Sequence, residues 1–223
     1  MANNLNDKYL DKVTSFVITS RIPKLILAFK HPTAGLQFPA GTVEASETFV
    51  DAARREVLEE TLISEISDGE ILEIESSTTG ENQAVLLYNT PGIDCSSSQS
   101  GHIFRRGHSV RVLEEQNNRT FVCQEEWNLN VEPPYVESNV TGWIPSDSLT
   151  FSIRRAFVAF FFHGQVNPSP WTCIADGHEL QVRWLPLTTK EQFAGSQMTW
   201  FERFKTRLAA LKFDPEHAEE VEP

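Results

Sequence analysis

Between Gly41 and Glu60 the chain reads GTVEASETFVDAARREVLEE, and six of those residues are acidic. Glu56, Glu59 and Glu60 stand three and four residues apart. On a helix that spacing puts like charges on one patch of surface, where they repel. Carboxylates gathered in this way make a hard-oxygen site suited to Mg2+ or Mn2+. Such an ion would remove the repulsion, bridge to phosphate oxygens and lower the pKa of a bound water. The glycine ahead of the helix, Gly41, lets a backbone carbonyl come close to the ion. Without a ligand, the same run reads as a solvated acidic face, and Glu44 and Glu65 are read that way.

The elements that must position these groups are legible in outline. Thr48, with Asp51 three residues on, is a capping box for the helix, and Glu47 lies at the end where negative charge is favoured. Phe49, Val50, Ala53 and Val57 form one apolar stripe at helical spacing. Ahead of the helix, KVTSFVITS (12–20) and PKLILAF (23–29) read as strands, and LQFPAGTVE as a strand entering a tight loop. ILEIES and QAVLLYN read as two more strands, to about Asn89. The run TPGIDCSSSQSG (90–101) reads as a linker. HSVRVLEE, RTFVCQEE and VTGWIPSDSL follow as short strand-like pieces, with NVEPPYVESN (130–139) as a loop. RRAFVAFFFHG and HELQVRWLPL are long strands separated by a Pro-rich loop, NPSPW. Met198–Phe213 is an amphipathic helix with Trp200, Phe204, Leu208 and Leu211 on its stripe.

Gly41, five residues, Glu47, seven residues and then REVLEETLI from Arg55 to Ile63 form a pattern that resembles the Nudix box, the signature of the Nudix hydrolase superfamily. Every charged position matches, and the departure is Leu62, where the family usually has glycine. The resemblance implies an α+β fold, a Nudix-like α/β/α sandwich on a mixed sheet. It implies that the Gly41 carbonyl, Glu56, Glu59 and Glu60 ligate Mg2+ (or Mn2+), with Glu59 and Glu60 also catalytic. Glu47 and Arg55 would pair behind them to fix helix against loop. The implied reaction is attack of metal-activated water on a diphosphate in a nucleoside diphosphate linked to another moiety. DGHELQVRWLPL resembles the family's late strand, where an acidic residue precedes a Trp by about five. Glu179 is therefore the candidate for a further carboxylate, as extra ligand or general base, beside the plain reading of an exposed strand-end acid. Thr79, Gly80 and Glu81 stand where a proline or tyrosine would mark ADP-ribose or diadenosine polyphosphate subgroups, so substrate identity stays open.

The bulk properties fit this reading. The 223 residues carry a net charge of −12, with 40% hydrophobic and 22% charged content and a mean hydropathy of −0.30. Such a charge argues against long nucleic acid and anionic membrane, but admits a small anion beside a bound cation. Three spaced cysteines, Cys95, Cys123 and Cys173, with no CxxC pair, read as free thiols of a cytoplasmic protein. The opening MANNLNDKYLDK has no apolar core and does not read as a secretory leader. AFVAFFF is too short to span a bilayer. Residues 1–96 and 151–213 are assigned to the Nudix domain and 97–150 to an inserted β-rich module, with 214–223 as an acidic disordered tail. The module resembles a bacterial SH3-like barrel in outline, with a long β-hairpin excursion as the alternative.

Weaker candidates for holding phosphate are Arg21, Lys24, Lys30, Arg105, Arg106, Arg154 and Arg155, and for acid–base work His163 and His178. Each has a plain structural or surface reading beside it. The expected partner is a small nucleotide-type substrate, and the sequence leaves a homodimer open. The alternative function is a non-catalytic Nudix-like sensor or regulator that binds a nucleotide-type ligand. A third reading, a scaffold recruiting a partner through the inserted module, is compatible with the first.

Overall fold

The computed structural model describes residues 8–94 and 101–212. In chain order its strands are β1 (Tyr9–Thr19), β2 (Leu25–His31), β3 (Gly35–Gln37) and β4 (Ala40–Thr42), followed by helix α1 (Phe49–Thr61). Next come β5 (Glu70–Thr78), β6 (Gln83–Leu86), β7 (Thr90–Pro91), β8 (Ile103–Phe104), β9 (Ser109–Gln116), β10 (Arg119–Asn128), β11 (Tyr135–Pro145) and β12 (Leu149–Thr150). The chain closes with β13 (Ser152–Phe162), β14 (Trp171–Ala175), β15 (His178–Pro186) and α2 (Gln197–Ala210). Cys95 and the segment 214–223 lie outside the described residues. Among those residues the chain divides into two compact units, 13–73 with 156–212, and 8–12 with 74–94 and 101–155.

The first unit is built on a mixed eight-stranded sheet ordered β14-β15-β2-β1-β13-β5, with β3 on β2 and β4 on β1. Successive strand residues point to opposite faces, and both faces are apolar here. Val13, Val17, Leu27, Phe29, Val158, Phe160, Leu180 and Val182 pack beneath Ala52, Ala53 and Val57 of α1. Phe16, Ile18, Ile26, Ala28, Phe157 and Ala159 pack beneath Phe201, Phe204 and Leu208 of α2. The AFVAFFF run is continuous because it lies between two helices, one on each face, which makes this unit an α/β/α sandwich. Burying one such Phe or Leu contributes about 1.5–3 kcal/mol.

Both helices are fixed at their ends. Thr48 Oγ1 accepts the Asp51 N–H at 3.1 Å while the Asp51 carboxylate accepts the Thr48 N–H at 3.3 Å, which is the expected capping box. α2 begins one residue before the sequence estimate and ends at Ala210, with Phe201 on its buried stripe and Trp200 partly buried. Lys24 closes its C-terminus by donating to the carbonyls of Leu208 and Ala209, each at 3.1 Å, and of Leu211. An ammonium is favoured there by the unpaired carbonyls and the helix dipole.

The second unit carries a five-stranded sheet ordered β11-β10-β9-β6-β12, around Ala84, Leu86, Phe104, Val110, Val122 and Ile144. The loop read at 130–139 reaches only to Pro134. From Tyr135 the chain pairs with β10, Asn128 opposite Tyr135 and, past a register shift between Glu126 and Trp127, Glu126 opposite Ser138. The two prolines end the turn without preventing the next residues from pairing. β14 was hidden for a similar reason, since NPSPW looks like loop throughout, yet Trp171 already stands opposite Val182.

α1 ends at Leu62 in the left-handed conformation (φ 63°, ψ 15°), which costs an L-residue about 1 kcal/mol. The Leu62 side chain is 62% exposed, so little burial repays that cost. Leu62→Gly is expected to raise the unfolding free energy by about 0.5–1 kcal/mol in chemical denaturation. An unchanged or lower value would show that this turn carries no strain.

Candidate functional site

α1 and the β4 loop bring the box together. Arg55 Nε donates to Glu47 Oε1 at 2.8 Å and its Nη2 to Glu47 Oε2 at 3.1 Å and to the Thr42 carbonyl at 3.0 Å. On its other side Nη1 donates to Glu56 Oε1 at 2.8 Å and Glu59 Oε2 at 3.0 Å. Glu47 also accepts the Glu44 N–H at 2.8 Å, which fastens the loop to itself. These bonds hold the Glu47 carboxyl below its ordinary range, the Arg55 bond being the largest influence. The same partners hold the Arg55 guanidinium well above its usual value.

The three helix glutamates are therefore not equivalent. Glu59 is 55% exposed and Glu56 only 12%. Burial pushes Glu56 up, Arg55 opposes that, and the charges of Glu59 and Asp176 add to it. Among the described residues Glu60 has no arginine partner. Its Oε2 accepts the Ala40 N–H at 2.9 Å. By area the residue is partly exposed, yet its carboxyl group lies among protein atoms, and that burial pushes it well above the ordinary range. The charges of Glu56, Asp176 and Glu59 push it the same way.

Gly41 lies flush against this cluster, and a Cβ there would stand 1.9 Å from Glu56 Oε1. Among the described residues no three His, Cys, Asp or Glu side chains are arranged as a ready-made metal site. The donor chemistry nonetheless suits a hard divalent cation: desolvated, mutually repelling carboxylate oxygens beside a backbone that only glycine allows so near. From below, β14 ties to α1 where Cys173 Sγ donates to the Glu59 carbonyl at 3.1 Å and Trp171 Nε1 to the Thr61 carbonyl at 2.8 Å.

Asp176 is the acidic residue that the sequence reading missed. It sits with Gly177 in the two-residue turn joining β14 to β15, both at positive φ, and its charge acts on both Glu56 and Glu60. The signal was present, since Asp-Gly between two apolar stretches is a strong hairpin mark. Glu179 is not brought to the box. It alternates with Leu180 and Val182, which face α1, so it belongs to the opposite face, where its Oε1 accepts from Gln181 Nε2 at 3.0 Å. Lys30, opposite Gln181, shares that face.

The weaker candidates scatter. Lys24 caps α2. Arg154 holds Asp11 through a bidentate pair at 2.7 and 2.6 Å. Arg155 is mostly buried near Glu75, and burial pushes its guanidinium down to about 10. The Arg106 N–H donates to Asn89 Oδ1 at 2.8 Å, and the neighbouring Arg105 carbonyl accepts the His108 N–H at 3.2 Å. Arg21 and His163 line a groove of ≈ 760 Å³ with Thr19, Ser20, Phe162 and Gln165. His178 lies against His31, ring centroids 4.5 Å apart.

Compared with known families, residues 10–118 match the model of the NUDIX domain. Curated protein sequences gave no match. Among solved structures, the dihydroneopterin triphosphate pyrophosphohydrolase of E. coli is 12% identical, the likeness covering 89% of this chain and 98% of that one, with a TM-score of 0.41. The NUDIX domain of Shewanella oneidensis NrtR, solved with ADP ribose, is 11% identical over 93% and 94% of the two chains, TM-score 0.42. A NUDIX hydrolase from Listeria monocytogenes is 11% identical over 91% and 94%, TM-score 0.38. Likenesses this loose decide nothing about substrate. No described helix is long and apolar enough to cross a membrane.

The Arg55 hub gives a direct test. Glu47→Ala removes two charge-assisted bonds and leaves the guanidinium half-matched, and is expected to cost about 2 kcal/mol of stability in chemical denaturation. Glu44→Ala, which keeps its backbone N–H on Glu47, is expected to stay within about 0.5 kcal/mol of the parent. Equal effects would mean that Glu47 is an ordinary surface acid.

Proposed function

The chain belongs to the Nudix family, and on that premise we propose that it hydrolyses the diphosphate bond of a nucleoside diphosphate linked to another moiety. The observation that carries this reading is the acidic patch on α1, where Gly41 lies against Glu56, Arg55 joins Glu56 to Glu59, and the Glu60 carboxyl, pushed up by burial, accepts the Ala40 N–H. Mg2+, or Mn2+, would be held by the carboxylates of Glu56, Glu59 and Glu60 and the Gly41 carbonyl. Bound there, such an ion supplies Lewis acidity toward phosphate oxygens and activates water.

The chain's own groups set the stage. Arg55 joins Glu56 to Glu59 and locks the loop through Glu47 and the Thr42 carbonyl. The Ala40 N–H aims Glu60 and offsets part of its charge. Asp176 adds negative potential from the β14–β15 turn and is better placed than Glu179 to accept a proton from an attacking water. The substrate is a small nucleotide-type molecule, and the setting is the cytoplasm.

A second reading, binding without hydrolysis, is favoured by one observation. Arg55 already compensates Glu56 and Glu59, so repulsion between those two does not by itself demand a metal.

The test is nucleotide and phosphate release from nucleoside triphosphates, nucleotide sugars, dinucleotides and coenzyme A, with Mg2+ or Mn2+, for the wild type and Glu60→Gln. Turnover of one class is expected, abolished by a chelator and reduced roughly a hundredfold or more in the variant. In metal-free buffer Glu60→Gln is expected to melt higher than the wild type, because it removes a buried, repelled charge. Added Mg2+ is expected to raise the melting temperature of the wild type alone. Metal-independent turnover, or a fully active Glu60→Gln, would overturn the proposal. A ligand that stabilises the fold and is never hydrolysed would select the second reading.

A further inference from the structure

The two faces of the central sheet can be followed to its edge. β2 and β15 pair with Leu27 opposite Trp184 and Phe29 opposite Val182. Leu27, Phe29, Leu180, Val182 and Trp184 all pack on the α1 side. Side chains alternate along a strand, so His31, two residues beyond Phe29, and His178, two before Leu180, continue that row. They meet there, ring centroids 4.5 Å apart and tilted by 56°. Lys30, Glu179, Gln181 and Arg183 have the opposite parity.

The two rings are held differently. His31 Nδ1 accepts the backbone N–H groups of Thr33 at 3.1 Å and Ala34 at 3.0 Å and lies 3.2 Å from Thr33 Oγ1. A ring nitrogen that accepts two N–H groups carries no proton, which places the proton of the neutral ring on Nε2. Thr33 and Ala34 thus spend their donors on orienting His31. His178 follows immediately on the Asp176–Gly177 turn, whose aspartate acts on Glu56 and Glu60. β14 runs beneath α1, with Cys173 Sγ donating to the Glu59 carbonyl at 3.1 Å, so the pair lies on the α1 face of the sheet, at the end of the hairpin that β14 enters.

An anionic substrate approaching that cluster needs donors. Arg55 is engaged by Glu47, Glu56, Glu59 and the Thr42 carbonyl, Lys24 is turned to the end of α2, and Lys30 lies on the other face. We propose that His31 and His178 form a phosphate-binding pair that holds non-bridging oxygens of the substrate's diphosphate through ring N–H donors, with His31 set in place by the Thr33–Ala34 backbone. The proposal rests on the diphosphate reading above. It makes both histidines positioning residues for binding, distinct from the carboxylates that serve the chemistry.

The test uses His31→Asn and His178→Asn. Asparagine Oδ1 can replace Nδ1 as the acceptor for the Thr33 and Ala34 N–H groups, so His31→Asn keeps the loop and loses the outer donor. Three quantities are read: the melting temperature, KM against kcat on the substrate class found above, and calorimetric affinity for methylenediphosphonate, a diphosphate that cannot be hydrolysed, in Mg2+ buffer. Both variants are expected to melt with the wild type, to raise KM about tenfold with little change in kcat, and to bind the diphosphonate about tenfold more weakly. Unchanged KM and affinity in variants of an active enzyme would overturn the pair and leave the hydrolase standing. Wild-type diphosphonate binding without turnover, weakened in both variants, would overturn the hydrolase and leave the pair standing. Neither turnover nor diphosphonate binding by the wild type would overturn both. A drop in melting temperature that accounts for the loss in both variants would reduce the pair to a structural contact.

Discussion

The Arg55 guanidinium reaches Glu47, the Thr42 carbonyl, Glu56 and Glu59 at once. A planar fork with five donors can do this where an ammonium could not. Its two edges join different parts of the chain: one takes the loop after β4, the other the exposed side of α1. Loop and helix cannot separate without breaking charge-assisted bonds on both edges. The close approach of Gly41 to Glu56 follows from that clamp, since a loop free to move would have no need for a residue without a Cβ. So does the position of Glu60, which reaches the Ala40 N–H only while β4 stays beside the helix.

The sheet supplies the second constraint, parity. α1 lies on one face, so only residues in phase with Leu27, Phe29, Leu180 and Val182 can approach its glutamates. This separates His178 from Glu179 and His31 from Lys30, although each pair is adjacent in sequence. A tight turn escapes the rule. At Asp176 and Gly177 the backbone adopts positive φ, and an acidic residue there can lean toward α1 from a hairpin whose next residues alternate strictly.

The core of the site was legible because its spacing is helical. Glu56, Glu59 and Glu60 share a patch on any helix, and Thr48 with Asp51 marks where that helix starts. The central strands and both helices were legible from apolar runs too long and too regular for loops. What was not legible came from pairings between distant segments. Nothing in NPSPWTCIA states that Trp171 will stand opposite Val182, and without that hairpin the Asp-Gly turn has no meaning. Tyr135 to Asn139 look like the rest of a Pro-containing loop until β10 is laid beside them. For Glu179 the information was present: HELQVRWL alternates acid, amide and arginine with Leu, Val and Trp. The alternation places Glu179 with Gln181 and Arg183, away from the helix, while a fixed offset from Trp184 ignores which face it falls on.

Charge balance links the clamp to the chemistry. Three carboxylates, of Glu47, Glu56 and Glu59, meet one guanidinium, and Glu60 and Asp176 add their charge beside them. Arg55 organises that cluster and cannot neutralise it, and the strain collects on Glu60, the member with burial and no arginine. A diphosphate brings further negative charge. At the short distances and reduced dielectric of a cleft, such charges repel far more strongly than in water. Hydrogen-bond donors at the rim orient phosphate oxygens without cancelling that repulsion, whereas a divalent cation among the carboxylates reverses the sign of the local field. On the proposed reading a ligand with two phosphates would need both, whether it is cleaved or only held. What would separate the two outcomes is which carboxylates hold the ion and which is left to take a proton. An ion held among Glu56, Glu59 and Glu60 would supply positive charge toward the phosphates, and Asp176 on the β14–β15 turn would be left to accept a proton. That division of roles would favour bond cleavage, and it depends on Arg55 engaging Glu56 and Glu59 while Glu60 is left to the Ala40 N–H.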